Sequence, residues 1–174
     1  MVFKYRDKIR VMDAETFWDL IKKSRRGAED CDEHTENLTE LLVKLEPQEI
    51  MDFDIYMEQQ LARAYRWDLW AVAYIVNGGC SDDGFEYFRG WLIAQGKDYF
   101  EAAMDKAENA AKKIQVGGEV GCENILYAAS EAYERRTGKN LPVSDVVAPK
   151  DPVGQEWEEN KVELLYPELA KKFC

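Results

Sequence analysis

The stretch that decides the fold runs from Arg66 to Gly96 and reads RWDLWAVAYIVNGGCSDDGFEYFRGWLIAQG. Its residues 69–76, LWAVAYIV, are apolar on every side of a helix rather than along one stripe. A helix of this kind is buried, because no face of it favours water. The Gly78–Gly79 pair then predicts the end of the helix, since glycine adopts the left-handed backbone of a helix C-cap without steric cost.

A polar turn at residues 78–84 joins the buried helix to the next one. Ser81, Asp82 and Asp83 all have side chains that cap helices, so one of them is expected to begin a helix that runs to Gly96. A single cap uses one side chain, which leaves at least one aspartate without a structural role. This turn is therefore where we expect a site.

Amphipathic helices are predicted on the N-terminal side of this stretch. Asp13 is a candidate N-cap for a first helix that ends in basic residues before Gly27, as the helix dipole favours. Pro47 opens a third helix, since proline suits the first helical position. Apolar residues recur at three- and four-residue steps in all three helices. They are Phe17, Leu20 and Ile21 in the first, Leu38, Leu41, Leu42 and Leu45 in the second, and Ile50, Phe53, Met57, Leu61 and Ala64 in the third.

Helices also follow the central stretch. Asp98 and Glu101 resemble a capping box, and a last core helix is predicted from Glu123 to Arg136. Prolines and a glycine beyond Leu141 predict a linker. The apolar anchors expected in the arm after it are Trp157, Leu164, Leu165, Leu169 and Phe173. We therefore expect an all-α fold, a single-domain bundle of seven or eight helices at residues 11–140, with a linker and docked C-terminal arm at residues 141–174.

The composition fits one globular domain of a cytoplasmic protein. The chain has 174 residues, 46% of them hydrophobic, which is enough to bury a core. No apolar run approaches the roughly 20 residues that span a bilayer, and the N-terminus lacks the features of a signal peptide. The cysteines lie far apart without the spacing of a zinc site, which favours free thiols in a reducing compartment. They are Cys31, Cys80, Cys122 and Cys174.

The formal net charge of −11 is unevenly distributed. Residues 29–59 hold eleven acids and one base, whereas residues 1–28 hold eight bases and four acids. An acidic protein repels nucleic acids and anionic membranes, so neither is an expected partner. The acidic block, residues 29–59, is either a solvated surface or a docking surface for a basic protein. Nucleic-acid binding would need a basic face assembled from Lys22, Lys23, Arg25, Arg26, Arg135 and Arg136.

Several segments resemble the bacterial family called domain of unknown function 4240 (DUF4240). They are FWDLI at 17–21, ARAYRWDLWAVAYIVNGGCSDDGFEYFRGWLIAQG at 62–96, CENILYAASEAYERRTG at 122–138, and GQEW with YPELAKKF at 154–157 and 166–173. The resemblance covers nearly the whole chain outside residues 1–10, and it implies a bacterial cytoplasmic protein. The family has no assigned activity, so the resemblance points to the central motif without supplying catalytic roles.

Familiar catalytic and cofactor motifs are missing from the sequence. His34 is the only histidine and is expected at the surface, which excludes a histidine-dependent triad or a multi-histidine metal site. No dinucleotide fingerprint, P-loop or HExxH motif occurs. No cofactor and no metal is therefore predicted.

Ten residues in or near the central stretch form the candidate ligand or partner site. They are Arg66, Trp67, Asp68, Cys80, Ser81, Asp82, Asp83, Glu86, Arg89 and Glu123. Cys80 lies at a predicted helix start, where the dipole would lower the pKa of a reactive thiol, although a small buried cysteine is the simpler interpretation. A metal bound by Asp82, Asp83 and Glu123 has no supporting spacing. Trp67, Trp70 and Trp91 are expected in the core rather than as a stacking platform.

The charged members of this set predict an ion-pair cluster. Asp82, Glu86 and Arg89 are spaced to share one face of a helix. Asp83 is expected to be a buried partner of Arg66 or Arg89. Such a cluster either locks two helices together or clamps a ligand, and the structural role is favoured.

Two classes of function remain. The first is a non-enzymatic protein-interaction or regulatory module, comparable to an immunity protein, that docks a partner protein through the acidic block. The alternative is an enzyme or a small-ligand-binding protein with its site around the Gly78–Gly84 turn, because ligand sites combine apolar walls with a few convergent polar groups. This alternative predicts a concave pocket beside Asp82 and Asp83.

Overall fold

The computed structural model describes residues 12–174, and these residues form an all-α fold, as predicted. Nine α-helices occur among them: seven lie within residues 12–140, in agreement with the seven or eight expected for the bundle, and two lie in the C-terminal arm. Their bounds are α1 Ala14–Ser24, α2 Cys31–Leu42, α3 Pro47–Arg63, α4 Trp67–Asn77, α5 Asp82–Ala94, α6 Lys97–Asp105, α7 Ala128–Thr137, α8 Val162–Leu165 and α9 Pro167–Phe173. Short 3₁₀-helices span Ala107–Ala111, Asn124–Tyr127 and Glu159–Lys161. In this part of the chain the only β pairing is one isolated bridge.

The predicted buried helix, α4, lies in the core. Leu69, Val72 and Ala73 are completely shielded from solvent, which agrees with the apolar character of α4 on all sides. Neighbouring helices contribute large side chains that are also fully buried: Phe17, Phe53, Phe85, Phe88 and Phe100. Each such side chain stabilises the fold by about 1.5–3 kcal/mol relative to exposure. One core cluster therefore joins side chains from α1 to α7.

Local signals in the sequence set several helix ends. Asp13 caps α1 by accepting a hydrogen bond from the Thr16 N–H at 2.8 Å. Pro47 occupies the first turn of α3. Gly78 ends α4 with a φ of 66°, and Ser81 caps α5. These predictions are confirmed because each depends on contacts within a few residues.

The capping box predicted at Asp98 and Glu101 is wrong. Gly96, with a φ of 93°, is the N-cap of α6, so the helix begins one residue before Asp98. Glu101 instead forms an ion pair with Arg63 at 3.0 Å. A glycine in this backbone conformation turns the chain sharply enough to start the helix early.

The single helix predicted from Glu123 to Arg136 is also wrong at its start. Residues 124–127 form a 3₁₀-helix, and the α-helix begins only at Ala128. The preceding Cys122 is held by a disulfide bond and by donation of its N–H to the Tyr87 carbonyl oxygen at 2.9 Å. These restraints come from distant parts of the chain, so the local periodicity of apolar residues does not predict them.

His34 is buried, and its predicted surface position is wrong. Its side chain is 5% exposed, and its Nε2 lies 3.0 Å from the Ser24 hydroxyl and 3.3 Å from the Ile21 carbonyl oxygen. Burial lowers the pKa of His34, which keeps the ring neutral near pH 7. The histidine thus joins α2 to the C-terminal end of α1.

The expectation of four free thiols is wrong as well. Cys31 and Cys122 form a disulfide across 91 residues of sequence, and Cys80 and Cys174 are free. The bond removes one argument for a reducing compartment, because structural disulfides are rare in the cytosol. No helix in the described part of the chain is long and apolar enough to cross a membrane. The cytoplasmic localisation stays a prediction.

The C-terminal arm docks on α4. Val153 exchanges backbone hydrogen bonds with the segment just before the helix, at 2.9 Å to Tyr65 and 2.9 Å to Trp67. The Trp157 indole N–H donates to the Trp67 carbonyl oxygen at 2.7 Å. Leu164 and Leu165 are 79% and 59% exposed, so these two predicted anchors are wrong. Neither leucine side chain is buried in the core. The residue of this segment that is fully buried is Val162.

Candidate functional site

The Gly78–Gly84 turn is held in place by side chains from two directions. The Trp70 indole N–H donates to the Cys80 carbonyl oxygen at 3.0 Å. Asn77 pairs with the backbone of Val120, donating at 3.1 Å and accepting at 2.7 Å. The start of α5 is therefore rigidly positioned beside α4.

Ser81 is the N-cap of α5, so neither aspartate is needed to cap the helix. Its hydroxyl accepts a hydrogen bond from the Gly84 N–H at 3.1 Å. Asp82 and Asp83 occupy the first turn and are exposed. The prediction that Asp83 is a buried ion-pair partner of Arg66 or Arg89 is wrong, because the cap at Ser81 directs this turn towards solvent.

Arg89 is the most buried charged side chain in this region, and it forms no ion pair with any carboxylate of residues 12–174. Its guanidinium lies over two aromatic rings, 4.8 Å from the centroid of Tyr65 and 5.0 Å from that of Phe85. Nη1 donates to the Leu61 carbonyl oxygen at 2.9 Å. Nε is buried and has no acceptor in the described residues. Burial lowers the pKa of Arg89, although an arginine remains protonated at neutral pH.

A pocket of about 390 Å³ opens above Arg89. We call it the acidic pocket, because its lining includes the carboxylates of Glu58, Asp82, Asp83 and Glu86. The remaining walls are Leu61, Ala62 and Tyr65 from α3 and the turn after it, and Val146, Ala148 and Pro149 from the linker. A concave pocket therefore lies beside both aspartates, which is what the ligand-binding hypothesis predicts.

The linker and α3 meet at one edge of this pocket. The Ser144 hydroxyl donates to the Glu58 carboxylate and accepts a hydrogen bond from the Val146 N–H at 3.2 Å. One turn before Glu58, partial burial, together with the Glu58 charge, raises the pKa of Asp54 to about 6. Crowded carboxylates here repel one another and favour an added positive charge.

The other predicted charged pair lies in a different place. Arg66 binds both carboxylate oxygens of Asp68, at 2.9 and 2.5 Å, and donates to the Met104 carbonyl oxygen at 2.7 Å. The two residues stabilise the start of α4 and contact the docked arm near Trp157. The predicted single ion-pair cluster is thus divided into a structural pair, Arg66–Asp68, and the acidic pocket around Arg89.

Stacked aromatic rings connect these two places. Trp67 stacks on Trp70 with centroids 5.3 Å apart, and Trp70 stacks on Phe85 at 5.0 Å. Trp157 from the arm packs edge-on against Trp67 at 5.8 Å. The predicted core position holds only in part: Trp70 and Trp91 pack half-buried against the core, and Trp67 lies outside it. Trp67 and Trp70 are structural contacts that support the phenyl ring beneath Arg89.

The sequence of the described helices matches one protein family. Residues 12–135 match the family described as "Protein of unknown function (DUF4240)", which covers more than half of the chain. The chain belongs to this family. The match includes the helices that supply Glu58, Asp83 and Arg89, whereas the linker wall of the acidic pocket lies outside it. No curated protein and no solved structure matches the chain.

Cys80 of this DUF4240 protein is not an activated thiol. Burial, together with the nearby Glu119 and Asp82 carboxylates, raises the pKa of its thiol to about 11. The helix start that was expected to lower the pKa carries acidic side chains, and their charge and the burial of sulfur outweigh the dipole. The raised pKa argues against a reactive Cys80, which is a half-buried free cysteine.

Glu123 lies outside the acidic pocket of the DUF4240 protein. It is exposed and interacts with Tyr87, whose pKa is raised by partial burial and by this carboxylate. No group of three or more His, Cys, Asp or Glu residues in the described chain is arranged to hold a metal ion. Asp82 and Asp83 therefore line one pocket with Glu58 and Glu86, and Glu123 is not part of its lining.

Seven lining residues of the acidic pocket are not among the predicted site residues: Glu58, Leu61, Ala62, Tyr65, Val146, Ala148 and Pro149. Glu58 lies in the acidic block of the sequence, and Tyr65 lies just after α3. The sequence contains a signal for the α3 side of the pocket. Three- and four-residue steps, typical of one helix face, separate Glu58, Leu61, Ala62 and Tyr65. The linker wall has no comparable signal, since only tertiary packing brings residues 146–149 over α3.

Most carboxylates of the acidic block have partners within the DUF4240 protein. Arg135 pairs with Glu36 and Glu40, both at 3.0 Å, and Arg136 pairs with Glu46 at 3.3 Å. Others cap helices or accept hydrogen bonds: Asp30, Asp32, Glu33, Glu49, Asp52 and Glu58. Arg135 and Arg136 thus lie against α2 and α3 and do not join Lys22, Arg25 and Arg26 in the basic face that nucleic-acid binding would need.

Proposed function

We propose that the protein binds a small amine-bearing ligand in the acidic pocket, and that the ligand also carries an acceptor group such as a carboxylate. The observation that carries this proposal is the position of Arg89, a guanidinium without an ion-pair partner at the base of a pocket lined by four carboxylates. The pocket volume of about 390 Å³ is in the range typical of small-molecule sites, about 300–1,000 Å³.

The arrangement of charges supports a ligand with two different ends. Carboxylates at the rim favour a protonated amine, since several negative charges lie close together around a small volume. The guanidinium at the base favours an acceptor, because a buried N–H without a partner costs free energy that a hydrogen bond recovers. An amino acid or a similar zwitterion has both groups.

Binding rather than catalysis is proposed. The described residues that line the pocket include no serine, threonine, cysteine, histidine or lysine, so any acid–base or nucleophilic chemistry would fall to the carboxylates and Tyr65. The acidic side chains and Arg89 suffice for recognition by charge and hydrogen bonding.

The test compares two amines of equal chain length by isothermal titration calorimetry. L-lysine has a carboxylate that 1,5-diaminopentane lacks, so a preference for lysine measures the contribution of Arg89. We expect lysine to bind with a dissociation constant below about 1 mM, corresponding to about −4 kcal/mol. The diamine should bind more weakly. No binding of either amine would contradict the proposal.

Variants assign the binding to its residues. Asp82→Asn combined with Glu86→Gln should weaken both amines, and Arg89→Gln should remove the preference for lysine. The matched control is Glu134→Gln with Asp151→Asn, which makes the same change in net charge at exposed positions outside the pocket. Equal weakening in the control would show that the amines respond to the overall charge and not to the pocket. Circular dichroism verifies that the Arg89 variant is folded.

The hypothesis of a basic partner protein stays a prediction. It has less support than ligand binding, because the acidic block is largely occupied by internal ion pairs, caps and hydrogen bonds. The test is a pull-down with a variant in which the acids of residues 29–59 are neutralised and whose helical fold is verified by circular dichroism. Loss of a specific partner would support docking, and retention of every partner would contradict it.

A further inference from the structure

A second concavity has the opposite charge. It is a wide groove of about 1120 Å³ between α1 and the start of α6. We call it the basic groove, after the cationic residues that line it: Lys22, Arg25, Arg26, Lys97 and Lys113. Its acidic residues are Glu15, Asp19 and Asp98, and Asp19 is already paired with Lys23 at 2.6 Å. A cationic groove is unexpected on a chain with a net charge of −11.

The helix dipole explains only part of this cluster. Lys22, Arg25 and Arg26 lie at or just after the C-terminal end of α1, where cations are favoured. Lys97 is the first residue of α6, where the dipole disfavours a cation, and the N-cap Gly96 provides no side chain to that end. Lys113 lies 5.2 Å above the ring of Tyr99, two residues after the 3₁₀-helix Ala107–Ala111 ends. Of these cations, Lys97 is the one with no evident role in local structure.

The cations of the groove are available to a ligand. None of the five forms an ion pair with a carboxylate of residues 12–174. Arg25 is held by Gln95, through bonds of 2.6 Å to the carbonyl oxygen and 3.0 Å to the side-chain oxygen. These two hydrogen bonds fix the direction of the Arg25 guanidinium. Arg26 and the three lysines of the groove are exposed to solvent.

We propose that the basic groove binds a small molecule that carries more than one phosphate charge. Five cations against three acids match a multivalent anion, whereas a single carboxylate would leave most of the repulsion among the cations in place. Guanidinium and ammonium groups together are the usual ligands of phosphate oxygens. A long polyanion fits poorly, because the acidic surface beyond the groove repels it. This proposal is independent of amine binding in the acidic pocket.

Calorimetry on the full chain at low ionic strength tests the proposal with inorganic pyrophosphate and with ATP. We expect pyrophosphate to bind more tightly than sulfate. Similar affinity for ATP would identify the phosphates as the recognised part, and higher affinity would add a contact to the nucleoside. Failure of both phosphates to bind would overturn the proposal. Tighter binding of a single-stranded oligonucleotide than of ATP would also overturn it, in favour of nucleic acid.

A matched pair of double variants locates the site. Arg26→Gln with Lys113→Gln should weaken pyrophosphate binding about five- to tenfold, as expected for two exposed charge contacts. The control, Lys139→Gln with Lys150→Gln, removes two exposed cations from outside the groove and should change binding less than about twofold. Equal weakening in the two double variants would contradict a specific groove.

Lys97→Gln gives a readout that a structural role would not produce. Removing a cation from the first turn of α6 should raise the melting temperature without ligand by about one to three degrees. The same variant should weaken pyrophosphate binding. A lower melting temperature, or unchanged binding, would show that Lys97 serves the fold and not a ligand.

Discussion

Arg89 holds a positive charge in a mainly apolar setting without a counter-charge in contact. The faces of Tyr65 and Phe85 provide favourable electrostatics at 4.8 and 5.0 Å, and such contacts contribute about 0.5–2 kcal/mol. One carbonyl oxygen, from Leu61, accepts a hydrogen bond. The guanidinium is therefore stabilised well enough to stay in place while retaining capacity for a further acceptor.

The raised pKa of Asp54 predicts that the stability of the fold depends on pH. Its pKa of about 6 in the fold is above the value of about 3.9 for an unfolded chain, so the native state binds the proton more tightly between these values. This contribution stabilises the fold at low pH and is lost as pH rises through 6. After allowance for solvent screening, Asp54→Asn should stabilise the protein by about 1–2 kcal/mol at pH 8.

Thermal denaturation at two pH values measures this effect. The melting temperature of Asp54→Asn should rise by about three to six degrees at pH 8 and hardly at all at pH 4. Asp151→Asn, at an exposed position, is the control. An equal rise at both pH values would show that packing of the amide, and not the charge, is responsible.

The exposed position of Asp83 predicts that its substitution weakens ligand binding while changing thermal stability little. Because Asp83 lies exposed in the first turn of α5, Asp83→Asn should lose only a dipole interaction of about 0.3–1 kcal/mol. Its melting temperature should fall by about one to three degrees, while lysine binds more weakly. Asp68→Asn, which breaks the 2.5 Å pair with Arg66, should cause a larger thermal loss without affecting the ligand. The reverse pattern would exclude Asp83 from the site.

At the scale of elements, α5 approaches the segment before α7 so closely that a side chain does not fit. A Cβ added at Gly90 would lie 2.8 Å from the Cys122 carbonyl oxygen and 3.1 Å from Leu126. The same helix contains Gly84, where an added Cβ would meet only ordinary contacts at 3.4 Å. Two glycines in one helix therefore have different roles.

Alanine substitutions measure this difference. Gly90→Ala should destabilise the protein by about 1–3 kcal/mol, because the backbone carbonyl oxygen has to move. Gly84→Ala should be neutral or stabilising by about 0.5–1 kcal/mol, since alanine favours the helix. Urea denaturation gives both values. A stabilising Gly90→Ala would mean that the segment at Cys122 moves away easily.

At the scale of the whole molecule, the Cys31–Cys122 disulfide joins the start of α2 to the segment before α7. It closes a loop with a sequence separation of 91 residues, and a loop of this length restricts the unfolded chain by about 4–5 kcal/mol. Reduction should therefore lower the melting temperature by about ten degrees or more. Differential scanning calorimetry with and without reductant measures the shift.

Thiol chemistry provides the control for this prediction. Titration of the unfolded, unreduced protein should detect the two thiols of Cys80 and Cys174. Reductant should leave the melting temperature of a Cys31→Ser, Cys122→Ser variant unchanged, because no disulfide remains to be broken. Four reactive thiols in the unreduced protein would contradict the disulfide directly.

The sequence alone determined the helices, because helix formation depends on periodicity and capping within a few residues. Asp13, Pro47, Gly78 and Ser81 end or begin helices as predicted. The all-apolar run at 69–76 correctly predicts a buried helix. Part of the acidic pocket was also predictable, since Asp82, Asp83, Glu86 and Arg89 lie within one helix that follows a polar turn.

Only the tertiary structure decided which distant residues meet. His34 is buried because α1 supplies its hydrogen-bond partners, and Cys31 reaches Cys122 because α2 packs beside the segment before α7. Local sequence patterns carry no information about contacts between residues that are distant in the chain. The same holds for the pocket, whose wall at residues 146–149 comes from a linker, and for Arg89, whose charge is stabilised by rings from two elements. Burial and charge environment depend on packing, and packing depends on the whole chain.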